Sequence, residues 1–236
     1  MKKTIALLSL VVSVTFGDNI DYKRVKTEKI NSTQEIVWLE AGSSDNLFFR
    51  LGNGFSKKTR EIINPMIDKI QASSYDDARE CKKSTSDYEY SIHANLAYSS
   101  SELIGFNTSL SYWCGGLHPD HYTTYTVIDA KSGRKYELKD ILSISKDFRK
   151  IRDLAFSENK KNIADDEYDP SNLFLWENLT WELRKDSIRF YLGFSSASRC
   201  FRGDYYEISF EKLKPYLSKK FLKKLQTSNV WVSKNN

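Results

Sequence analysis

The chain has 236 residues, of which 28% are charged and 40% are hydrophobic, and its formal net charge at neutral pH is +5. This length allows one sizeable core or two small ones, and no Pro-, Gly- or Ser-rich linker divides the chain, which favours one compact unit. The modest positive charge does not indicate nucleic-acid binding. The absence of repeats and low-complexity tracts excludes solenoid and disordered proteins.

The N-terminus is typical of an export signal. Lys2 and Lys3 precede an apolar run over 5–14, and the segment up to Gly17 supplies small residues that a signal peptidase could read. The run is shorter than the roughly 20 apolar residues that an anchored transmembrane helix needs, and no comparable run follows. We therefore expect a signal peptide at 1–17 and a periplasmic or secreted mature chain without a transmembrane segment.

After the signal peptide we expect an N-terminal extension at 18–45, a first half at 46–113, a second half at 114–226 and a tail at 227–236. Short strands are predicted at 36–39 and 47–51, separated by a turn at 42–44. A helix is predicted to begin with Asn64 as its cap and Pro65 in its first position, and to run to about Cys81.

The next segments have the patterns of strands and helices in alternating groups. Strict alternation of apolar and polar residues over 88–98 and over 104–112 predicts an antiparallel hairpin, with Leu96 and Tyr98 on the same face. Further strands are predicted at 122–129, 181–192 and 205–210, and helices at 145–159 and 171–179. This order indicates an α+β fold in which an antiparallel sheet is covered by helices, and not a doubly wound parallel sheet.

The most specific pattern is the corner that follows Cys114. A double glycine and a His-Pro pair lead into a strand and a tight turn, and the residues concerned are Gly115, Gly116, His118, Pro119, Asp129 and Gly133. This order resembles the C-terminal extracytoplasmic domain of the RsiV family, which includes lysozyme-sensing anti-sigma factors and the non-catalytic N-terminal part of some peptidoglycan deacetylases. The resemblance continues over 186–217, where strands and a short helix follow in the expected order. It implies a single module of two intertwined halves, with a lysozyme-like protein or peptidoglycan as partner.

Three cysteines in an oxidising compartment predict one disulfide and one free thiol. We favour a bridge between Cys114 and Cys200, because it would clamp two loops that are far apart in sequence. Cys81 would then be the free thiol. The alternative is a bridge between Cys81 and Cys114, because these two residues flank one hairpin.

The sequence gives little indication of catalysis or metal binding. Cys114, His118 and His121 have a spacing that matches no standard zinc site, so we predict no metal and no cofactor. No nucleophile with an oriented base stands out, so we predict no catalytic residue, and an enzyme acting on peptidoglycan with His118 as base is the alternative. The acidic residues over 165–169 are interpreted as a solvated loop that could attract a basic ligand, and not as a glycosidase pair.

Aromatic residues beside the glycine corner form the predicted binding surface, because a corner exposes the side chains that it carries. They are Tyr112, Trp113, His121, Tyr122 and Tyr125. The lysine-rich stretch over 212–224 is predicted to form amphipathic helices that dock on the sheet, with attraction to an anionic surface as the lesser alternative. The favoured function is non-catalytic binding of a wall hydrolase or of peptidoglycan, as an inhibitor or immunity protein.

Overall fold

A computed structural model describes residues 22–41, 43–85, 88–115, 119–142, 144–159, 179–192, 205–226 and 230–232. These residues form two sheets and five helices. The strands are grouped, with helices inserted between the groups, which confirms the predicted α+β class. Within the same ranges, no helix combines the length and the apolar character needed to cross a bilayer.

The larger sheet is built from seven strands. They are β1 (Tyr22–Lys29), β2 (Glu35–Ala41), β3 (Ser43–Leu51), β4 (Glu89–Ser99), β5 (Leu103–Trp113), β6 (Asp120–Asp129) and β10 (Trp231–Val232). β1 to β6 follow one another in chain order, and β10 pairs with β4. The pairing of β3 with β4 is parallel and the others are antiparallel, because a helix returns the chain between β3 and β4. From Tyr22 onward, the segment predicted as an extension belongs to this sheet.

The helix between β3 and β4 is α1 (Lys57–Ser84), and it begins earlier than the sequence predicted. Ser56 is its cap, since the Oγ of Ser56 accepts a hydrogen bond from the N–H of Thr59 at 3.0 Å. Asn64 lies inside the helix, so its prediction as the cap is wrong. Its side chain bonds the backbone of Leu51 instead, accepting from the N–H at 2.9 Å and donating to the carbonyl at 3.2 Å. α1 is thereby attached to β3.

The second sheet is small and antiparallel, with the strands β7 (Leu179–Leu183), β8 (Ser187–Leu192) and β9 (Tyr205–Ser209) in that order. Its strands carry apolar residues toward a core and charged residues on the opposite face. Four helices accompany this sheet in the second half of the chain. They are α2 (Leu138–Ile141), α3 (Ile144–Asn159), α4 (Phe210–Leu213) and α5 (Lys219–Leu225).

The two faces of the larger sheet border two different cores. One lies beneath α1 and contains Ile36, Phe48, Phe49, Ile63, Ile67, Leu96, Ile104 and Phe106. The other is formed with the second sheet and the later helices and contains Tyr98, Leu103, Val127, Ile151, Trp181, Phe190, Ile208 and Phe221. Each core buries the apolar side of the elements that enclose it, which is the main stabilising contribution.

A β-bulge in β4 allows the strand to contribute to both cores. Leu96 lies opposite Phe106, whereas Tyr98 lies opposite Gly105, so Ala97 is an extra residue on β4. Leu96 and Tyr98 therefore enter different cores, and the strict alternation predicted over 88–98 ends at the bulge. Gly105 makes room for this arrangement, since a Cβ atom there would lie 3.0 Å from the Cβ of Tyr98.

Candidate functional site

A groove of about 480 Å³ opens between the C-terminal half of α1 and the neighbouring ends of β4, β5 and β6. We call it the tyrosine groove. Its lining consists of Asp77, Glu80, Cys81, Tyr90, Leu110, Tyr112, Cys114 and Tyr122. Its volume falls within the roughly 300–1,000 Å³ that is typical of sites for small molecules.

Aromatic side chains from three adjacent strands form the floor of the tyrosine groove. Tyr90 lies opposite Tyr112, and Leu110 lies opposite Tyr122, so all four share the face that α1 covers. The rings of Tyr112 and Tyr122 are stacked, with centroids 6.0 Å apart and planes inclined by 16°. Tyr122 is 49% exposed, so its ring is accessible to a ligand from solvent.

A disulfide between Cys81 and Cys114 closes one end of the tyrosine groove, with a Cα–Cα distance of 5.0 Å. The favoured prediction of a bridge between Cys114 and Cys200 is therefore wrong, and the alternative pairing is found. The reason is that α1 runs past Cys81 to Ser84 and brings this residue, which is 5% exposed, beside the end of β5. Cys200 lies outside the described residues. The bridge fixes α1 to the strand that carries Tyr112.

Two carboxylates of α1 give the tyrosine groove a negative rim. Asp77 has no ion pair with any residue that the structure describes, and Glu80 pairs with Lys83 at the exposed surface, where such pairs contribute little. Burial raises the pKa of Tyr90, the Ser74 hydroxyl opposes this rise and the charge of Asp77 adds to it. The groove thus combines aromatic faces with negative charge, a combination that suits a positively charged group.

The predicted binding surface is divided between the two faces of the sheet. Tyr112 and Tyr122 lie in the tyrosine groove, whereas Trp113, His121 and Tyr125 lie on the opposite face. The predicted residues His118 and Gly116 lie outside the described residues, as do the acidic segment 165–169 and all of the predicted helix at 171–179 except Leu179, which begins β7 instead.

Sequence reasoning missed Asp77, Glu80 and Tyr90. They belong to α1 and β4, which are distant in sequence from the glycine corner. On a long polar helix, the local sequence does not distinguish an acidic residue that lines a groove from one that lies on a solvated face.

The remaining residues of the family pattern shape the backbone. Gly115 has a φ of 86° and Gly133 a φ of 72°, values that side-chain-bearing residues rarely adopt. A Cβ atom on Gly133 would also lie 2.4 Å from Cγ2 of Ile62. Pro119 is exposed and precedes β6 directly. Gly115 and Gly133 hold the chain in turns, and none of Gly115, Pro119 and Gly133 lines the tyrosine groove.

Asp129 ends β6 and organises the turn after it. Its Oδ1 accepts hydrogen bonds from the N–H groups of Lys131 and Ser132 at 3.0 and 2.9 Å. Its Oδ2 lies 2.6 Å from Nζ of Lys224 and accepts a hydrogen bond from the Tyr136 hydroxyl at 3.2 Å. Burial alone would raise the pKa of Asp129, but these partners outweigh it and hold the pKa below its ordinary value. Asp129 is therefore a structural carboxylate.

The charged face of the second sheet contains the buried Glu182 and the partly buried Glu207, and each pairs with an arginine. Arg184 Nη1 lies 3.2 Å from Glu182, and Arg189 Nε lies 2.7 Å from Glu207. Burial would raise the pKa of Glu207, but hydrogen bonds from Ser187 and Arg189 lower it overall. A carboxylate held ionised in this way is unsuited to act as a general acid near neutral pH.

Several solved structures share this fold. A DUF3298 family protein from Pseudomonas aeruginosa PAO1 matches with a TM-score of 0.55 and 12% identity, covering 90% of this chain and 99% of that one. A member of the DUF3298 family from Bacteroides fragilis NCTC 9343 matches with a TM-score of 0.52 and 12% identity, covering 88% and 97%. No protein-family model and no curated protein matches the chain. Since identity this low supports a likeness of fold alone, the chain is similar in fold to DUF3298 family proteins over most of its length.

Proposed function

We propose that this chain is an extracytoplasmic binding protein without catalytic activity, and that the tyrosine groove holds a positively charged side chain of a partner protein. The observation that carries the proposal is the placement of Asp77 and Glu80 beside the stacked rings of Tyr112 and Tyr122. An ammonium or guanidinium group gains both from a π face and from a nearby carboxylate.

The proposed partner is a lysozyme-like wall hydrolase. Such enzymes are strongly basic, and the glycine corner of this chain resembles the lysozyme-sensing RsiV module. The resemblance and the negative rim support the same type of partner, because a negative groove attracts a basic protein and raises the association rate. An inhibitor or immunity protein for a wall hydrolase would act in this way.

The architecture of the tyrosine groove favours binding without large rearrangement. Its floor is part of a sheet, and the disulfide between Cys81 and Cys114 holds α1 over that floor. A site that is already formed loses less conformational entropy when a ligand enters. The absence of catalysis is supported by the ion pair of Glu207 with Arg189, which helps to lower the pKa of that carboxyl and makes it a poor general acid near neutral pH.

Calorimetric titration with a purified c-type lysozyme tests the proposal. We expect Asp77→Asn combined with Glu80→Gln to weaken binding at least tenfold, and Tyr122→Ala to weaken it by a similar factor, since loss of a cation–π contact or hot-spot ring costs about 1–2 kcal/mol. The matched control is Asp76→Asn, a neighbouring carboxylate that pairs with Arg79 at the surface and does not line the groove.

Salt dependence and an activity assay complete the test. Affinity should fall as ionic strength rises, because exposed charges are screened within about 10 Å at 0.1 M salt. Equal affinities for the groove variants and for Asp76→Asn would contradict the placement of the site. Lack of binding at tens of micromolar would contradict the partner, and release of soluble fragments from peptidoglycan by the protein alone would contradict the absence of catalysis.

A further inference from the structure

The face of β4, β5 and β6 that points away from α1 carries a second surface, which we call the neutral face. It consists of three cross-strand rows, namely Ser91, Ser111 and His121, then His93, Ser109 and Thr123, then Asn95, Asn107 and Tyr125. Residues that pair directly across strands point to the same side of a sheet. The neutral face lies beyond Tyr98 and Val127, where the core on this side of the sheet ends.

None of these nine positions carries Asp, Glu, Lys or Arg. A chain with 28% charged residues should place two or three of them among nine positions on a face that is not packed in a core. The shortage of charged residues extends to β6. Among the described strands β6 pairs only with β5, so it is an edge strand. Edge strands usually carry charges that prevent association, so an ordinary solvated face does not account for this composition.

The polar groups on the neutral face are held in fixed positions. Nδ2 of Asn95 donates to Oδ1 of Asn107 at 3.2 Å, and the hydroxyl oxygens of Ser109 and Thr123 are 3.1 Å apart. Thr123 and His121 are exposed, whereas Asn107 is 5% exposed. The face therefore presents a dense array of hydroxyl, amide and imidazole groups on a rigid sheet, accessible along the side of β6.

Aromatic rings lie at both ends of the neutral face. Trp113 lies at one end in the next row, opposite Glu89, and Tyr125 lies at the other. The Tyr125 ring stacks on Tyr191 of the second sheet, with centroids 4.4 Å apart and planes inclined by 7°. Trp113 lies six residues beyond Asn107 along β5, which corresponds to about 20 Å at the usual rise. This length suits a chain of several sugars.

We propose that the neutral face binds an uncharged glycan chain, such as one built from N-acetylated amino sugars. The lack of charge in the three rows, with Glu89 only in the flanking row of Trp113, disfavours nucleic acid, an anionic lipid surface or a basic protein. The lack of exposed apolar side chains in the same rows disfavours an apolar peptide. A glycan presents hydroxyl and amide groups to hydrogen-bonding side chains and apolar sugar faces to aromatic rings. This site is separate from the tyrosine groove, which faces the other side of the sheet.

Titration with N,N′,N″,N‴-tetraacetylchitotetraose, followed by amide chemical shifts, tests this inference. We expect shifts at the amides of 107–111 and 121–125. Thr123→Lys should weaken binding at least tenfold, because it places a hydrated charge among the polar groups. Thr124→Lys is the matched control, since Thr124 is also exposed but lies on the opposite face of β6, and it should change affinity less than twofold.

Three outcomes would overturn the inference: no shifts at several millimolar sugar, shifts outside the neutral face, or equal effects of the two lysine substitutions. Tyr122→Ala should leave sugar binding unchanged, so that failure here is distinguishable from failure of the tyrosine groove. The same spectra show whether each variant is folded.

Discussion

The ammonium group of Lys224 in α5 lies 2.6 Å from the carboxylate of Asp129 at the end of β6. It also reaches Glu102, at 3.0 Å, in the turn between β4 and β5. The side chain of Lys224 is only 16% exposed, so these pairs are largely shielded from water. Removing one member of a buried charge group costs more than the group contributes, because the remaining charges lose their partner. Lys224 therefore adds an ionic attachment of α5 to the sheet, beside the burial of Phe221 in the core.

Replacing Lys224 should be strongly destabilising. We expect Lys224→Met to lower the free energy of unfolding by about 3 kcal/mol, since Asp129 loses its cation while Glu102 keeps only its more exposed pair with Lys131. Urea denaturation measures this loss. The control is Lys220→Met on the same helix, an exposed lysine whose replacement should change stability by less than about 0.5 kcal/mol. Similar losses for both variants would show that Lys224 contributes only as a helix residue.

The same cluster predicts how stability depends on pH. The pKa of Asp129 is lowered in the folded protein, so its contribution is present above the ordinary aspartate pKa of about 4 and is lost as pH falls below it. The pKa of Lys224 is raised to about 12, so its contribution is present below the ordinary value of 10.5 and is lost as pH rises toward 12. As pH is lowered from about 7 to about 2, the free energy of unfolding should therefore decrease more steeply for the native sequence than for Lys224→Met. Parallel curves would contradict this assignment.

The side chain of Asn64 should be required for the docking of α1. Asn64→Leu removes both hydrogen bonds to the backbone of Leu51 and leaves partly buried polar groups unpaired, at a cost of about 2 kcal/mol. Asn64→Asp keeps the acceptor for the Leu51 N–H but loses the donor, so its loss of stability should be intermediate. Thermal unfolding of both variants measures the difference. If Asn64→Leu were as stable as the native sequence, helix packing alone would position α1.

Peptide mapping should recover one linked pair containing Cys81 and Cys114. The bridge spans a sequence separation of 33 residues, and closing such a loop stabilises the fold by about 4 kcal/mol in the chain-entropy model. The double variant Cys81→Ala, Cys114→Ala should lose stability of this order and also its affinity at the tyrosine groove. Cys200→Ala should leave the linked peptide unchanged. A peptide linking Cys114 to Cys200 would contradict the structure.

Gly133→Ala should destabilise the turn after β6 by about 2 kcal/mol, because a positive φ and a close contact both oppose a side chain there. Ile62→Ala removes the atom that the new Cβ would meet, but not the backbone strain. The double variant should therefore be more stable than the sum of the two single losses predicts. Strict additivity in denaturation experiments would exclude the contact between the two positions.

The strands of the larger sheet could be predicted from sequence where apolar and polar residues alternate, as in β4 and β5. β1 lacks this signal, because its sequence YKRVKTEK is mostly charged and its strand conformation depends on pairing with β2. The start of α1 differs from the prediction because Asn64 followed by Pro65 has the pattern of a helix start. Ser56 is an equally good cap, and only the tertiary contact of Asn64 with Leu51 decides between them.

Part of the candidate site could also be predicted. Tyr112 and Tyr122 flank the glycine corner, and their neighbourhood follows from the hairpin of β5 and β6. The contributions of Asp77 and Glu80 could not be foreseen, because they depend on where α1 ends and on which face of the sheet it covers. The cysteine pairing also depends on where α1 ends and on which face of the sheet it covers, and local sequence patterns determine neither.

The extra residue at Ala97 has a consequence for any attempt to isolate a smaller piece of this molecule. Since β4 supplies Leu96 to one core and Tyr98 to the other, a cut between the first and second halves would expose apolar surface on both fragments. Neither fragment should fold well enough to replace the whole protein in binding studies. Deletion of a paired residue of the hairpin should shift the register and turn core side chains to the wrong face, whereas deletion of the unpaired Ala97 should be the best tolerated. Protein engineering should instead begin from the intact chain.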